Sequence, residues 1–306
     1  MKKQVRKKIP LNTVFREFEA EKSAMNLSTE TLKTYVAHVK AFQKYVDVKT
    51  VEDITPDAYR QFVLAMQSNG TKDTTITSYC RGVRAFCYWL MDTGYIDRFA
   101  IRLPKYQKPV KRCYTDEDLR KLLARPQRDC MEKEYLCWVF ANVAISTGLR
   151  LTSILSLKAS DIEGEWLYAD RTKNNRGLKL YLNAEMQRIL RRYILLFDIS
   201  GYLFCNAQGK PYNKSTMSHM MNQYNKSREV EATGIHRFRH TYARNYYLQT
   251  HDIFALSKLL GHSSIAVTQM YLTDIGMETL TVQNVYNPQR DFASEQKKKR
   301  RGKLKR

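Results

Sequence analysis

Two histidines and an arginine are grouped in the segment Gly234–Arg244. If this segment is helical, His236, Arg239 and His240 lie on one face, because they are three and four residues apart. The zinc-binding pattern H-E-x-x-H needs a glutamate after its first histidine, and Arg237 stands at that position here. We therefore expect no metal ion. An imidazole with a tunable proton beside a guanidinium with fixed donors is better suited to a phosphate group.

Three further segments carry side chains of related chemistry. Arg150 follows a glycine and precedes apolar residues at helical spacing, and Lys173 lies in the loop of a predicted hairpin. His262 and Tyr271 lie between the predicted end of one helix and the end of the next short helix. Each residue taken singly has an ordinary interpretation: Arg150 as a surface arginine, Lys173 as a solvated lysine and Tyr271 as a core aromatic with a satisfied hydroxyl.

The order of these residues along the chain is more informative than any one of them. An arginine, a hairpin lysine, an H-x-x-R pair, a G-H pair and a tyrosine follow one another in the strings TGLR, RTKNNRG, HRFRHTYA and LLGHSSIAVTQMY. In these strings and in their order the chain resembles the tyrosine recombinases, the family of phage integrases and Xer-type enzymes. The resemblance extends over essentially the whole chain.

The resemblance implies a catalytic set. It comprises Arg150 and Arg239 as the arginines that hold the scissile phosphate, Lys173 as the hairpin lysine, His236 and His262 as the two imidazoles, and Tyr271 as the nucleophile. Tyr271 would form a 3′-phosphotyrosyl link, with His236 as the base and Lys173 as the acid. The link preserves the energy of the broken bond, so we expect no ATP, metal or other cofactor.

Two further positions lie close in sequence to the two arginines. Family members often carry an acidic residue three positions after the first arginine, and this chain has Ser153 there. The substitution affects a supporting contact rather than the reaction. His240, directly after the second arginine, is a weaker candidate for a supporting role.

Apolar residues at helical spacing predict four helices in the first hundred residues. They run from about 13 to 25, from Ser28 or Thr29 to about 46, from Pro56 to Asn69, and from about Asp73 to Gly94. Residues 102–113 carry two prolines and five basic groups and form the best linker candidate. A new helix is predicted after Thr115, and strands are predicted over Glu165–Asp170 and Leu178–Leu182.

The predicted fold class is mainly α with a small β-sheet or hairpin. The predicted domains are a helical core-binding (SAM-like) DNA-binding domain over 1–101, a basic linker over 102–113, an α+β catalytic domain over 114–287 and a basic tail over 288–306. The first predicted helix begins near residue 12, so we expect no additional N-terminal DNA-binding domain. Apolar positions at 277–285 resemble the family's C-terminal segment that docks on a neighbouring protomer.

The charge balance indicates a polyanionic partner. Lys and Arg number 52 against 30 Asp and Glu, for a net charge of +22, of which the first ten and last nineteen residues carry +12. Nucleic acid is favoured over an anionic membrane surface. There is no apolar run of about 18 residues and no signal-peptide core. The six cysteines form no C-x-x-C pair, which favours reduced thiols in a cytoplasmic, nucleoid-associated protein.

The leading functional hypothesis is a site-specific DNA recombinase, serving as the integrase, transposase or invertase of a mobile element. Its partners would be double-stranded DNA and further copies of itself, as a dimer on one site and a tetramer in the synapse, with no membrane involved. Three alternatives stay open. They are a type IB topoisomerase-like enzyme, a DNA-binding accessory protein without catalysis, and an unrelated basic helical protein.

Overall fold

The structure is a computed structural model that describes residues 8–106, 112–127, 129–169, 177–262 and 264–272. Three features singled out in the sequence fall outside these residues: Lys173, the apolar positions at 277–285 and the basic tail. The chain divides into two compact units, Met1–Pro109 and Val110–Arg306. Both units are mainly helical, and the second contains a small antiparallel sheet, which confirms the predicted fold class. The finer predicted boundaries at residues 101, 113 and 287 stay predictions.

The first unit contains the four predicted helices. They are α1 (Leu11–Ala24), α2 (Thr29–Val46), α3 (Pro56–Ser68) and α4 (Asp73–Asp92). The side chain of Ser28 accepts a hydrogen bond from the Thr31 amide at the start of α2. The side chain of Thr55 caps α3 in the same way, with Pro56 at the first helical position. These local signals explain why the first residues of the helices can be predicted from the sequence.

A close crossing joins α2 to α4. Gly82 on α4 lies against the imidazole of His38 on α2, and a Cβ atom at position 82 would overlap that ring. Glycine therefore lets the two helices approach closely. The core of this unit contains one fully buried phenylalanine from each of the four helices: Phe18, Phe42, Phe62 and Phe86. This packing holds α2 and α4 against each other.

The second unit contains eight α-helices, one short 3-10 helix (Ala159–Asp161) and three strands within the described residues. The helices are α5 (Asp116–Leu123), α6 (Glu132–Thr147), α7 (Leu151–Ser156), α8 (Ala184–Leu196), α9 (Lys214–Ser227), α10 (His236–Thr250), α11 (Ile253–Leu259) and α12 (Ile265–Leu272). The strands are β1 (Ile162–Glu163), β2 (Trp166–Ala169) and β3 (Leu178–Tyr181), in the antiparallel order β1-β2-β3. The predicted strand pair is confirmed as β2 and β3. β1 was not predicted, because two residues show no periodicity.

Helix α6 is the centre of this unit. It is apolar on every side, and ten of its residues are buried. Helices α5, α8, α9 and α10 pack around it. Such a helix cannot face water, so its burial holds α10 in place. In the described parts of the chain, no helix is long and apolar enough to cross a membrane.

Candidate active site

Arg239 is the centre of a buried polar cluster in the second unit. It lies on α10 and is only 2% exposed. Its Nη1 donates to the carbonyl of Gly148 at 2.8 Å, and its Nη2 donates to the carbonyl of Leu260 at 2.7 Å. Nη2 also lies 2.7 Å from Nε2 of His262, and Nε lies 3.4 Å from the hydroxyl of Tyr271. One guanidinium thus joins three separate parts of the chain.

Tyr271 presents its hydroxyl between an imidazole and this guanidinium. The hydroxyl oxygen lies 3.0 Å from Nε2 of His236 and 3.4 Å from Nε of Arg239. The phenol ring packs against the imidazole of His240, with 4.4 Å between ring centroids, and lies 5.1 Å from the His262 ring. The hydroxyl is therefore placed to give its proton to an imidazole while an arginine stabilises the oxygen that remains.

His262 is held on both ring nitrogens. Its Nε2 faces Arg239, and its Nδ1 lies 2.8 Å from the hydroxyl of Thr268 on α12. Burial, followed by the positive charges of Arg239 and Arg150, lowers the pKa of His262 to about 4. His262 is therefore neutral at neutral pH.

Arg150 adds a second positive charge beside this cluster. It is the residue before α7, two positions after Gly148, and its side chain is half-buried. Burial chiefly, with the charge of Arg150, lowers the pKa of Arg239 below its ordinary value. Two neighbouring guanidiniums, of which Arg239 is buried and Arg150 is half-buried, favour an anion between them, since an anion relieves their mutual repulsion.

The structure brings together five of the six residues expected from the sequence: Arg150, His236, Arg239, His262 and Tyr271. The sixth, Lys173, lies outside the described residues. Ser153 is buried on α7 and 2% exposed. The described residues contain no group of three or more His, Cys, Asp or Glu side chains placed to hold a metal ion.

Sequence reasoning missed one side chain and two backbone groups. Thr268 was not singled out, although it lies three residues before Tyr271 and therefore one helical turn away. The carbonyls of Gly148 and Leu260 carry no sequence signal as acceptors, because every residue has a carbonyl. His240, expected in a supporting role, contacts the rings of both His236 and Tyr271.

Comparison with known proteins places the chain in a family. The family model described as "Phage integrase family" matches residues 112–275, more than half of the chain. The chain belongs to the phage integrase family. A second model, "Phage integrase, N-terminal SAM-like domain", matches residues 17–94. These matches confirm the expected family and the expected class of enzyme, a tyrosine-type site-specific DNA recombinase.

One relative and two solved structures are each identical to this chain at 24% of the aligned residues or fewer. "Tyrosine recombinase XerC" of Roseiflexus castenholzii is 24% identical over 265 residues, covering 80% of this chain and 83% of the relative. A lambda integrase dimer bound to a COC′ core site gives a TM-score of 0.72 at 20% identity, covering 88% of this chain and 79% of that one. A lambda integrase tetramer bound to a Holliday junction gives 0.74 at 19% identity, covering 92% and 81%. These structures show a shared fold.

In this family member we expect Gly148→Ala to destabilise the second unit strongly. Gly148 has φ +62°, and an added Cβ would overlap the ring of Tyr242. The left-handed backbone costs about 1–2 kcal/mol for alanine, and overpacking adds about 1–3 kcal/mol. Denaturant unfolding measures the loss. Gly209→Ala is the matched control, because Gly209 has φ +71° with open space around it. Equal losses in the two variants would contradict the argument from the Tyr242 contact.

We also expect acid to destabilise the DNA-free protein through His262. The unfolded chain takes up the proton near pH 6.5, whereas folded His262 takes it up near pH 4. Between these values the unfolded state binds more protons, so the free energy of unfolding falls as the pH falls from about 6.5 to 4. Above this window the contribution is fully present.

Urea unfolding at several pH values measures this dependence. His262→Gln should show a shallower decrease than the wild type across the window. His219→Gln, on the exposed surface of α9, is the matched control. If the free energy of unfolding of His262→Gln falls as steeply with pH as that of the wild type, groups other than His262 cause the pH dependence.

Proposed function

We propose that this protein cuts and rejoins double-stranded DNA at specific sites through a 3′-phosphotyrosyl intermediate. The observation that carries the proposal is the position of the Tyr271 hydroxyl, 3.0 Å from an imidazole nitrogen and 3.4 Å from a guanidinium nitrogen. A phenol titrates near pH 10 in water, so its attack on phosphorus needs a base and a nearby positive charge. His236 and Arg239 supply them.

In the cleavage step, the Tyr271 oxygen bonds to phosphorus while its proton passes to Nε2 of His236. Negative charge accumulates on the non-bridging oxygens of the phosphate. Arg150 and Arg239 hold these oxygens, and His262 donates a further hydrogen bond to one of them. Arg239 exchanges some of its protein acceptors for phosphate oxygens in this step. The oxygens of the phosphate thus replace acceptors that Arg239 already has at 2.7–2.8 Å.

The bond from phosphorus to the 5′-oxygen breaks in the same step. Lys173 donates a proton to that oxygen, which leaves as a 5′-hydroxyl. One phosphoester replaces another, so the reaction needs no external energy source. Attack by the 5′-hydroxyl of a second strand reverses the step and completes strand exchange.

The first unit offers a basic surface for the DNA duplex. Lys33, Lys40 and Lys44 are exposed on one face of α2, at spacings of seven and four residues. Arg81 is exposed on α4, next to the crossing at Gly82. Lysines and arginines on adjacent helices neutralise phosphates and release counterions. This supports a role of α2 and α4 in holding the site, as does the match to a SAM-like domain.

The protein acts as a dimer on one DNA site and as a tetramer when two sites are joined. The lambda integrase structures, a dimer on a core site and a tetramer on a Holliday junction, support this assembly. We propose for it the role of integrase, transposase or invertase of a mobile element at the nucleoid. Sequencing the DNA that flanks the gene, together with its recombined junctions, tests this role and identifies the site.

Covalent trapping tests the proposed chemistry. The substrates are duplexes that cover the flanking DNA and carry a nick close to the cleavage site. Cleavage then releases a short fragment with a free 5′-hydroxyl, and its loss prevents the reverse reaction. The wild-type protein should form a complex that survives denaturing electrophoresis, and mass spectrometry should place the DNA on Tyr271. Site-specific binding without any covalent complex would favour the accessory protein. Relaxation of plasmids regardless of sequence would favour the topoisomerase.

A further inference from the structure

The contacts of His262 define which of its nitrogens carries the proton. Nη2 of Arg239 has no lone pair to accept a hydrogen bond, so it must donate to Nε2 of His262 across their 2.7 Å contact. Nε2 therefore has no proton in this structure. Because His262 is neutral, its single proton lies on Nδ1 and is donated to the Thr268 hydroxyl at 2.8 Å.

This tautomer is unsuited to the step assigned to His262. A donor to a phosphate oxygen needs a proton on Nε2, the nitrogen that faces Arg239. Adding a second proton is disfavoured, because burial and the charges of Arg239 and Arg150 oppose a positive imidazole. His262 must instead exchange one tautomer for the other when a phosphate takes over the Arg239 donor.

Among the hydrogen bonds of the described residues, the Thr268 hydroxyl is the only partner of Nδ1 of His262. Its side chain is fully buried, which fixes the hydroxyl beside Nδ1. A hydroxyl accepts from Nδ1–H in one tautomer and donates to bare Nδ1 in the other, after rotation about its C–O bond. A backbone carbonyl at this position would only accept and would lock the first tautomer.

We propose that Thr268 is a positioning residue that allows His262 to move its proton from Nδ1 to Nε2 when the phosphate binds. In the exchange Nδ1 releases one proton to water and Nε2 takes one from water, so the charge of His262 is unchanged. The Thr268 hydroxyl turns from acceptor to donor. This proposal rests on the proposed function, in which His262 donates to the scissile phosphate.

Nitrogen NMR of the full chain labelled with 15N-histidine tests the exchange directly. His262→Gln identifies the His262 signals. The DNA-free protein should show a protonated Nδ1 and a bare Nε2. Orthovanadate, a tetrahedral oxyanion, is the phosphate probe, and in its presence Nε2 should be protonated and Nδ1 bare. A protonated Nε2 in the free protein, or the same tautomer with and without vanadate, would overturn the proposal.

Two substitutions test the hydroxyl itself on nicked duplexes. Thr268→Val keeps the shape and removes the hydroxyl, and should slow cleavage about 10- to 100-fold with unchanged DNA affinity. Thr268→Ser restores the hydroxyl and should cleave within about threefold of the wild type. Thr250→Val, at the exposed end of α10, is the matched control. Wild-type cleavage by Thr268→Val, or equal losses in the serine and valine variants, would overturn the proposal.

The two experiments separate this proposal from the proposed function. If the wild-type protein traps no DNA, the recombinase function fails, and the NMR experiment with vanadate still decides whether His262 exchanges its tautomer on binding an oxyanion. If trapping succeeds and Thr268→Val cleaves normally, the function stands and the role of Thr268 fails.

Discussion

Tyr271→Phe is expected to reduce covalent capture of nicked DNA to below about one-thousandth of the wild-type yield. Phenylalanine keeps the ring contact with His240 and removes only the hydroxyl that lies between His236 and Arg239. Without this oxygen no bond to phosphorus forms. Denaturing electrophoresis of labelled nicked duplex measures the yield, and a gel shift should show unchanged DNA affinity.

Tyr247→Phe is the matched control for this substitution. Tyr247 packs against the same small apolar cluster as Tyr271 and lies on α10. The control should retain full capture. A covalent complex of wild-type yield in Tyr271→Phe would assign the nucleophile to another residue, and peptide mapping of that complex would identify it.

Arg239→Lys is expected to slow cleavage by about 10²- to 10³-fold and to destabilise the second unit. Lysine is a point charge and cannot reproduce the planar set of donors that a phosphate accepts. It also leaves the carbonyls of Gly148 and Leu260 without the donors they have at 2.8 and 2.7 Å. Each buried acceptor that loses its partner costs about 1–3 kcal/mol.

The two effects of Arg239→Lys are measured separately. Denaturant unfolding gives the loss of stability, and single-turnover cleavage is measured under conditions in which circular dichroism shows the variant to be folded. Arg244→Lys, the same substitution on the same helix, is the control and should change neither quantity appreciably. A folded Arg239→Lys variant that cleaves at the wild-type rate would exclude Arg239 as a phosphate ligand.

Local physical signals account for what was predicted correctly. The stripes on α2, α3 and α4 repeat every three to four residues, and Ser28, Thr55 and Thr115 cap their helices through bonds to amides three residues on. The strand pair is visible because buried positions alternate with half-buried ones in β2, and Leu180 of β3 is buried between two exposed residues. Such signals act between residues that are close together in the chain, so they can be recognised from the sequence alone.

The candidate site was predicted as a list of residue types in a given order. Arg150, His236, Arg239, His262 and Tyr271 have side chains whose chemistry is recognisable from the residue name. The sequence therefore predicted which side chains would form the site and which elements would carry them. It did not determine their hydrogen bonds, since those join residues far apart in the chain.

Only the tertiary structure decided how the groups are held. The Arg239 guanidinium is bonded to a carbonyl 91 residues away and to another 21 residues away. The same guanidinium donates a hydrogen bond to Nε2 of His262, which leaves Nδ1 as the nitrogen that faces the Thr268 hydroxyl. The close approach of His38 to Gly82 is equally nonlocal. The physical reason is the same in each case: backbone acceptors and interhelical distances depend on packing around buried helices such as α6, and periodicity along one segment carries no information about them.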